Sequence, residues 1–325
     1  MPDESGTWTV GRLLEWTQKF FEKKGIAQPR LEAEILLAHA LGTERIGLYL
    51  AYEREVEADA RARFRKWVQR RAEGEPTRYL VGGCEFMSLA FKVGPGCLIP
   101  RPETELLVEE VMARCGKTRG RAPAAEGASA GPVVRDSLYY RAGAAVAVID
   151  LCTGCGCVAV SVAVHVPESV VVATDLSSAA LEMARANAAA HGVANRVAFL
   201  EGDLYEALEA AGAAPADFLL ANPPYVAEAE WETLQPEIRN HEPREALVAG
   251  PEGTEVIERI VRGAPAHLKP GGTLLVEIGA SQGPAVRDLA AGVRGLVDVE
   301  IRKDYAGHDR MLVARRAAGG ENQDG

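Results

Sequence analysis

The tetrapeptide Asn222-Pro223-Pro224-Tyr225, directly after the apolar run 218–221, carries the residue types best suited to chemistry in this sequence. The Asn222 side-chain oxygen and the Pro223 carbonyl are hydrogen-bond acceptors. Together they could hold both N–H groups of a planar amide or aromatic amine and help its delocalised lone pair to localise. Tyr225 could pack on that planar group. The alternative is a stiff turn with an exposed tyrosine, because two prolines after a strand fix the chain.

A second candidate site is the small-residue turn that follows Asp150 at the end of an apolar strand. Ligands of open α/β sheets bind beyond the carboxyl ends of the strands. Gly154 and Gly156 would let the backbone approach such a ligand closely. The next strand ends in Asp175, where an acid can hold ribose hydroxyls. Asp203 follows the third strand, where a side chain could reach an adenine amino group.

Three kinds of nucleotide-binding loop compete for this turn. The dinucleotide motif GxGxxG lacks its third glycine here, and the P-loop motif GxxxxGK[ST] lacks its lysine. The remaining interpretation is the nucleoside pocket of a class I methyltransferase. A turn with two glycines is weak evidence alone, but acids after three successive strands favour this interpretation.

Cysteine usage raises the question of metal or redox chemistry. Without a secretion signal, a disulfide framework is not expected. Cys152 and Cys155 form a CxxC, but no second CxxC or His pair completes a tetrahedral site. We therefore expect small residues in a tight loop and no metal. The sequence has six cysteines: Cys84, Cys97, Cys115, Cys152, Cys155 and Cys157.

Composition and charge limit the function classes. The chain has 325 residues, 47% hydrophobic and 25% charged, with a net charge of −10, as in an ordinary globular protein. Tight nucleic-acid binding usually needs a basic surface, and we interpret the arginine-rich segment 61–71 as a solvated helix face. Direct nucleic-acid binding is therefore not expected. Segment 1–10 lacks signal-peptide features and segment 158–172 is too broken to span a bilayer, so we expect a cytoplasmic protein without membrane contact.

Periodicity predicts two domains and a connector. Residues 1–75 have helical patterns that predict a small helical domain, and 76–93 predict a β-hairpin connector. Residues 94–315 form the predicted main domain, in which strands and helices alternate from 146 onward; this predicts an α/β fold with a mostly parallel sheet covered on both faces. The last two strands lack an intervening helix, so one should be antiparallel. We interpret 117–145 as an insertion loop and 316–325 as a flexible tail.

Motifs beyond the two sites carry a family resemblance. They are Glu75-Pro76-Thr77-Arg78-Tyr79-Leu80-Val81-Gly82, Glu85-Phe86, Leu98-Ile99-Pro100-Arg101-Pro102-Glu103-Thr104-Glu105, Glu242-Pro243-Arg244-Glu245-Ala246-Leu247 and the segment from Asp304 to Arg310. The match covers most of the chain and also includes Asn222-Pro223-Pro224-Tyr225. On these motifs the sequence resembles the HemK/PrmC family, the peptide chain release factor N5-glutamine methyltransferases.

The resemblance implies a class I, Rossmann-like, seven-stranded methyltransferase domain with a small all-helical N-terminal domain for substrate recognition. It implies methyl transfer from S-adenosylmethionine to the glutamine of the release factor's Gly-Gly-Gln motif. That glutamine would bind along Asn222, Pro223, Pro224 and Tyr225. The implied cofactor contacts are Cys152, Thr153, Gly154, Cys155, Gly156, Asp175, Leu204 and Asn222.

The sequence departs from the family pattern in the cofactor loop and beyond it. Cys152 stands where glycine is usual, Cys155 where serine or threonine is usual, and Leu204 where an aromatic residue is common. Two alternative functions stay open. One is an amino-methyltransferase acting on adenine or guanine of RNA or DNA, which shares the NPPY chemistry. The other is a non-catalytic cofactor-binding module that docks on a partner.

Overall fold

The computed structural model describes residues 7–116 and 146–318. The described residues form two compact units. The smaller unit comprises Met1–Gly83 and Gln235–His241, and the larger comprises Cys84–Leu234 and Glu242–Gly325. The predicted insertion loop, 117–145, lies outside the described residues.

The smaller unit is helical, as predicted. Helix α1 begins after Thr9, whose hydroxyl accepts a hydrogen bond from the Arg12 backbone N–H at 3.3 Å, and α2 ends at Gly42 with φ +63°. Its core packs buried residues such as Leu14, Phe21 and Phe64 together. The helices are α1 (Val10–Lys23), α2 (Pro29–Leu41), α3 (Arg45–Leu50), α4 (Ala58–Ala72) and α5 (Thr77–Val81).

The predicted hairpin is shorter than expected, because residues 79–81 are helical. Tyr79 and Leu80 are buried, so helix α5 places apolar side chains that the sequence pattern had assigned to a strand. The hairpin itself consists of β1 (Gly83–Phe86) and β2 (Leu89–Lys92). Met87 and Ser88 between them have φ of 51° and 60°, as a two-residue hairpin turn requires.

Within the larger unit, a buried amide links strand β2 of the hairpin to the turn after β3. Asn187 Oδ1 accepts from the Lys92 backbone N–H at 2.8 Å. Asn187 Nδ2 donates to the carbonyls of Lys92 at 3.1 Å and Cys155 at 2.9 Å. The same side chain therefore joins β2 to the turn that contains Cys155.

The larger unit alternates strands and helices along most of its length. Its strands are β3 (Val146–Leu151), β4 (Ser169–Asp175), β5 (Val197–Glu201), β6 (Ala216–Ala221), β7 (Val226–Ala227), β8 (Val248–Gly250), β9 (Leu268–Glu277), β10 (Leu296–Lys303) and β11 (Asp309–Arg316). The remaining helices are α6 (Glu105–Arg114), α7 (Cys157–His165), α8 (Ser178–Ala190), α9 (Tyr205–Ala210), α10 (Pro236–His241, in the smaller unit), α11 (Glu255–His267) and α12 (Gly283–Ala291). Short 3-10 turns cover Pro102–Thr104, Glu228–Thr233 and Arg244–Ala246.

Seven of these strands form one sheet in the order β10-β11-β9-β6-β3-β4-β5. The pairs among β9, β6, β3, β4 and β5 are parallel, whereas β11 runs antiparallel to both neighbours. The class I fold and the antiparallel strand are therefore confirmed. The chain leaves β3 toward β4 on one side and later adds β6 on the other. This change of direction places a ligand crevice beyond the carboxyl ends of β3, β4 and β6.

The start of the predicted tail, Arg316 and Ala317, is held in place, and the Ala317 backbone N–H donates to the Gly295 carbonyl at 2.9 Å. Arg316, predicted to begin a flexible tail, pairs with Leu296 in the β10–β11 ladder. Residues 319–325 lie outside the described part. In the segments that the structure describes, no helix is long and apolar enough to cross a membrane.

Candidate active site

The turn after β3 is fixed by Asp150, the last residue but one of that strand. Asp150 Oδ2 accepts hydrogen bonds from the Thr153 hydroxyl at 2.6 Å and from the Ala159 backbone N–H at 3.1 Å. Complete burial raises the pKa of Asp150 to about 7. Gly154 has φ +57°, a conformation that glycine adopts without strain. These two hydrogen bonds to Asp150 therefore fix the conformation of the turn.

Asp175, the last residue of β4, also stabilises this turn through hydrogen bonds to backbone N–H groups. Its Oδ2 accepts from the Gly154 backbone N–H at 2.8 Å, and its Oδ1 accepts from the Ser177 backbone N–H at 2.9 Å. Burial raises the pKa of Asp175. The two backbone hydrogen bonds stabilise the carboxylate and so partly oppose this rise. Because two N–H groups orient the carboxylate, its remaining acceptor positions can bind hydroxyl groups of a ligand.

These strand ends border a cavity of about 660 Å³, which lies within the larger unit. That volume is typical of a small-molecule site. The sequence-predicted residues that line it are Cys152, Thr153, Gly154, Cys155, Asp175, Asp203, Leu204, Asn222 and Pro224. The structure therefore brings residues of the turn together with Asn222 and Pro224 of the NPPY segment at one cavity.

Three predicted site residues lie outside the cavity lining. Gly156 directly precedes α7 and packs on α8, where an added Cβ would lie 2.9 Å from the Ala184 Cβ. Pro223 is buried. The Tyr225 hydroxyl donates to Glu277 Oε1 at 3.3 Å. Burial raises the pKa of Tyr225, which keeps this hydroxyl protonated as a donor.

The part of the cavity where the sequence predicts contacts with adenine contains an ion pair. Asp203 Oδ2 accepts from Arg259 at 2.7 Å, and both side chains line the cavity. Leu204 is buried with φ +45°. Leu176, which the sequence did not single out, also lines the cavity and is 67% exposed. An exposed leucine beside Asp175 offers an apolar surface on which a purine could pack.

Asn222 is held by Thr104 and Glu277, whose roles the sequence did not reveal. Its Nδ2 donates to Thr104 Oγ1 at 3.0 Å, and the Thr104 hydroxyl donates to Glu277 Oε2 at 2.6 Å. Thr104 and Glu277 are both buried. Burial raises the pKa of Glu277 to about 7, opposed by the Thr104 hydrogen bond and the Arg310 charge. Glu277 is the last residue of β9, as Asp175 is of β4, so the same strand-end argument could have placed it at this edge of the sheet, although not behind Asn222.

Two segments of the family signature meet beside the cavity. Glu242 accepts from the Ile99 backbone N–H at 3.1 Å and from Arg101 at 2.6 Å. Further along, the Leu247 carbonyl accepts from the Tyr225 backbone N–H at 3.1 Å and from the Val226 N–H at 2.8 Å. The NPPY segment is therefore held at Asn222 by Thr104 of segment 98–105, and at Tyr225 by Leu247 of segment 242–247.

The cysteines surround the turn without forming a recognisable metal site. Cys97, Cys155 and Cys157 are buried thiols that line the cavity. Hydrogen bonding with Cys155, together with burial, raises the pKa of Cys97 and of Cys157. Within 7–116 and 146–318, no group of three or more His, Cys, Asp or Glu side chains could hold a metal ion.

Comparison with known proteins identifies both parts of the chain. Residues 12–82 match the PrmC N-terminal domain, and residues 138–241 match the methyltransferase small domain. A methyltransferase of known structure from Pyrococcus furiosus is a remote likeness, with 15% identity, a TM-score of 0.45 and coverage of 71% of this chain and 89% of that one.

Relatives of known function are similar along nearly their whole length. The release factor glutamine methyltransferase of Rhodopirellula baltica is 39% identical, covering 95% of this chain and 97% of the relative. That of Chlorobaculum tepidum is 41% identical, with 96% and 98% covered. That of Geobacter sulfurreducens is 37% identical, with 97% and 99% covered. The resemblance noted in the sequence is thereby confirmed, and the chain belongs to the release factor glutamine methyltransferase family.

Proposed function

We propose that this protein transfers the methyl group of S-adenosylmethionine to the side-chain amide nitrogen of the glutamine in the Gly-Gly-Gln motif of peptide chain release factors. The observation that carries the proposal is the full-length similarity to release factor glutamine methyltransferases. The position of Asn222, in the lining of a nucleoside-sized cavity, supports it.

The cavity suits S-adenosylmethionine in size and in the chemistry of its lining. Asp175 is an oriented carboxylate at the end of β4, suited to a ribose diol. Leu176 and Leu204 supply apolar surface for a purine. Gly154 has no side chain and a positive φ, so the backbone there can lie close to a bound ligand. When bound, S-adenosylmethionine supplies a methyl group activated by a positively charged sulfur.

The chain's own contribution is to orient the acceptor nitrogen. Because Asn222 Nδ2 is directed at Thr104, the amide presents its oxygen to a ligand as a hydrogen-bond acceptor. The Pro223 carbonyl supplies a second acceptor. Two acceptors that hold the two N–H groups of a glutamine amide leave its nitrogen lone pair directed toward the methyl donor. Such positioning, with little further chemistry, can provide much of the rate enhancement.

The two alternatives receive less support. An amino-methyltransferase of RNA or DNA would share the Asn222 chemistry, but the net charge of −10 gives no general attraction to phosphates. A non-catalytic module would have no need of Asn222 and Tyr225 in the arrangement described above. We therefore take release factors as the partners, without direct nucleic-acid binding, in the cytoplasm where translation ends.

The test is methyl transfer from labelled S-adenosylmethionine to purified release factor, beside a variant whose Gly-Gly-Gln glutamine is replaced by alanine. Label on the wild-type factor only is the expected result, because the amide nitrogen is then the acceptor. Total RNA and DNA are assayed in parallel. Label on nucleic acid but on neither factor would support the amino-methyltransferase instead. Bound cofactor with no label on any substrate would support the non-catalytic module.

A further inference from the structure

A chain of hydrogen bonds with one direction runs from a buried carboxylate to Asn222. An ionised carboxylate can only accept, so the 2.6 Å contact between Glu277 Oε2 and Thr104 Oγ1 uses the single proton of the threonine hydroxyl. Thr104 then has only lone pairs to offer to its other neighbour. The amide group of Asn222 can meet those lone pairs only with its nitrogen, at the observed 3.0 Å.

We propose that Glu277 is a positioning residue that, through the Thr104 hydroxyl, fixes the Asn222 amide with its oxygen available to the substrate glutamine. The inference rests on the proposed function for the identity of that substrate. Glu277 itself lies behind Thr104 and does not line the cavity, whereas Thr104 and Asn222 do. Its influence therefore passes through the direction of hydrogen bonds.

Protonation of Glu277 would reverse the direction in which the hydrogen bonds from Asn222 through Thr104 to Glu277 donate. A protonated carboxyl can donate to Thr104 Oγ1, which releases the threonine proton toward Asn222. The amide then gains by turning its oxygen to Thr104 and its NH₂ group to the ligand. An NH₂ group facing the NH₂ of a substrate glutamine places two donors together, and the acceptor that orients the nucleophile is lost.

Several groups around Glu277 decide when it is ionised. Burial favours the neutral acid, as does the negative charge of Glu103. The Arg310 guanidinium on β11 and the hydroxyls of Thr104 and Tyr225 favour the carboxylate. Arg310 is itself held by Asp304 at 3.2 Å. The balance puts the pKa of Glu277 at about 7, so the proton is exchanged near neutral pH.

Activity should accordingly fall as pH decreases through 7. The active form has ionised Glu277, and for one essential ionisation kcat declines roughly tenfold per pH unit below the pKa. The Glu277→Gln variant cannot titrate, so its kcat should lack this acid limb. Glu110→Gln is the matched control, since Glu110 is a buried carboxylate of the same unit paired with Arg114 and Arg302 instead. Its pH profile should follow the wild type.

Thr104 variants test the intermediate hydroxyl. Thr104→Ser keeps the hydroxyl and should retain kcat within a few-fold. Thr104→Val removes it at nearly constant volume, so kcat should fall by at least about tenfold, as for loss of a positioning group. Binding of S-adenosylmethionine and the unfolding transition, measured for each variant, distinguish lost positioning from lost folding.

A readout without turnover follows the amide directly. In ¹⁵N-labelled protein with S-adenosylmethionine bound, the side-chain NH₂ signals that vanish in Asn222→Ala should shift with a midpoint near pH 7. They should stay constant with pH in Glu277→Gln. A wild type that fails to methylate release factor would overturn the proposed function, and these spectra decide the positioning role in either case. Amide signals that titrate identically in both proteins, or a Glu277→Gln profile that superimposes on the wild type, would overturn the inference.

Discussion

Asn222 meets Thr104 with its amide nitrogen, at 3.0 Å from the hydroxyl oxygen, although 118 residues separate the two in the chain. Asn222 directly follows β6, and Thr104 directly precedes α6. The contact therefore joins the NPPY segment to the Leu98–Glu105 part of the family signature. It also explains why the amide oxygen, rather than the nitrogen, is available for chemistry.

Replacement of Asn222 by alanine should remove most methyl transfer. The variant lacks the acceptor that orients the substrate amide, and loss of one such group costs roughly 10²–10³ in kcat. The unfolding transition should change little, since Asn222 is only partly buried. Single-turnover kinetics on release factor measure the effect. Asn195→Ala, at an exposed turn, is the control and should match the wild type. Transfer by Asn222→Ala within a few-fold of the wild type would exclude this role.

Asp175→Ala should weaken cofactor binding more than it slows the reaction. The carboxylate is oriented by the N–H groups of Gly154 and Ser177, and hydrogen bonds to a charged group contribute about 1.5–3 kcal/mol. The Kd for S-adenosylmethionine should therefore rise about 10–100-fold, with kcat at saturation changed much less. Isothermal titration calorimetry checks the Kd. The exposed Glu182 on α8 gives a control variant, Glu182→Ala. An unchanged Kd for Asp175→Ala would mean that the ribose is held elsewhere.

Much of the fold follows from periodicity and local stop signals. The strand and helix pattern predicted the mostly parallel sheet, and the missing helix between the last two strands predicted that one of them is antiparallel. Both predictions are confirmed, and the antiparallel strand is β11. Residues 79–81 were predicted wrongly because a three-residue apolar run fits a buried strand and a buried helix equally. No strand was predicted in the segment between β6 and α11. Its short ladder of β7 with β8 is fixed by tertiary contacts of Tyr225 and Val226 with Leu247.

The candidate site was predictable where function follows from position on a strand. Asp150 and Asp175 lie at the carboxyl ends of neighbouring parallel strands, within one residue of the last, so their convergence follows from topology alone. The roles of Thr104 and Glu277 depend on which side chains lie behind Asn222. That proximity is a result of packing between distant segments, which no local pattern encodes. The pairing of Asp203 with Arg259 was missed for the same reason.

Gly156→Ala should destabilise the larger unit by about 3 kcal/mol. Its φ of +79° costs an L-residue about 1–2 kcal/mol, and an added Cβ would lie 2.9 Å from the Ala184 Cβ and 3.2 Å from its Cα. Overpacking of this kind costs about 1–3 kcal/mol. Gly192→Ala isolates the backbone cost, because Gly192 has φ +69° but nothing within 4 Å of an added Cβ. Urea unfolding compares the two variants, and equal losses would show that the contact with α8 relaxes without cost.

Asp150→Asn should stabilise the protein increasingly as pH rises. Burial raises the pKa of Asp150 from 3.8 to about 7, so the folded state binds the proton more tightly than the unfolded state. The stability that this carboxyl contributes is therefore complete below about pH 4 and is lost as pH rises through 7.

Asparagine removes that dependence and can still accept from Thr153 and Ala159, since both donate to the same Asp150 oxygen. Relative to the wild type, the variant's free energy of unfolding should thus increase by about 2–3 kcal/mol between pH 5 and pH 8. Urea denaturation at both pH values measures this. Asp288→Asn, whose side chain is 75% exposed, should show no such change. A stability difference for Asp150→Asn that stays constant with pH would mean that Asp150 is already ionised at pH 5 in the folded protein.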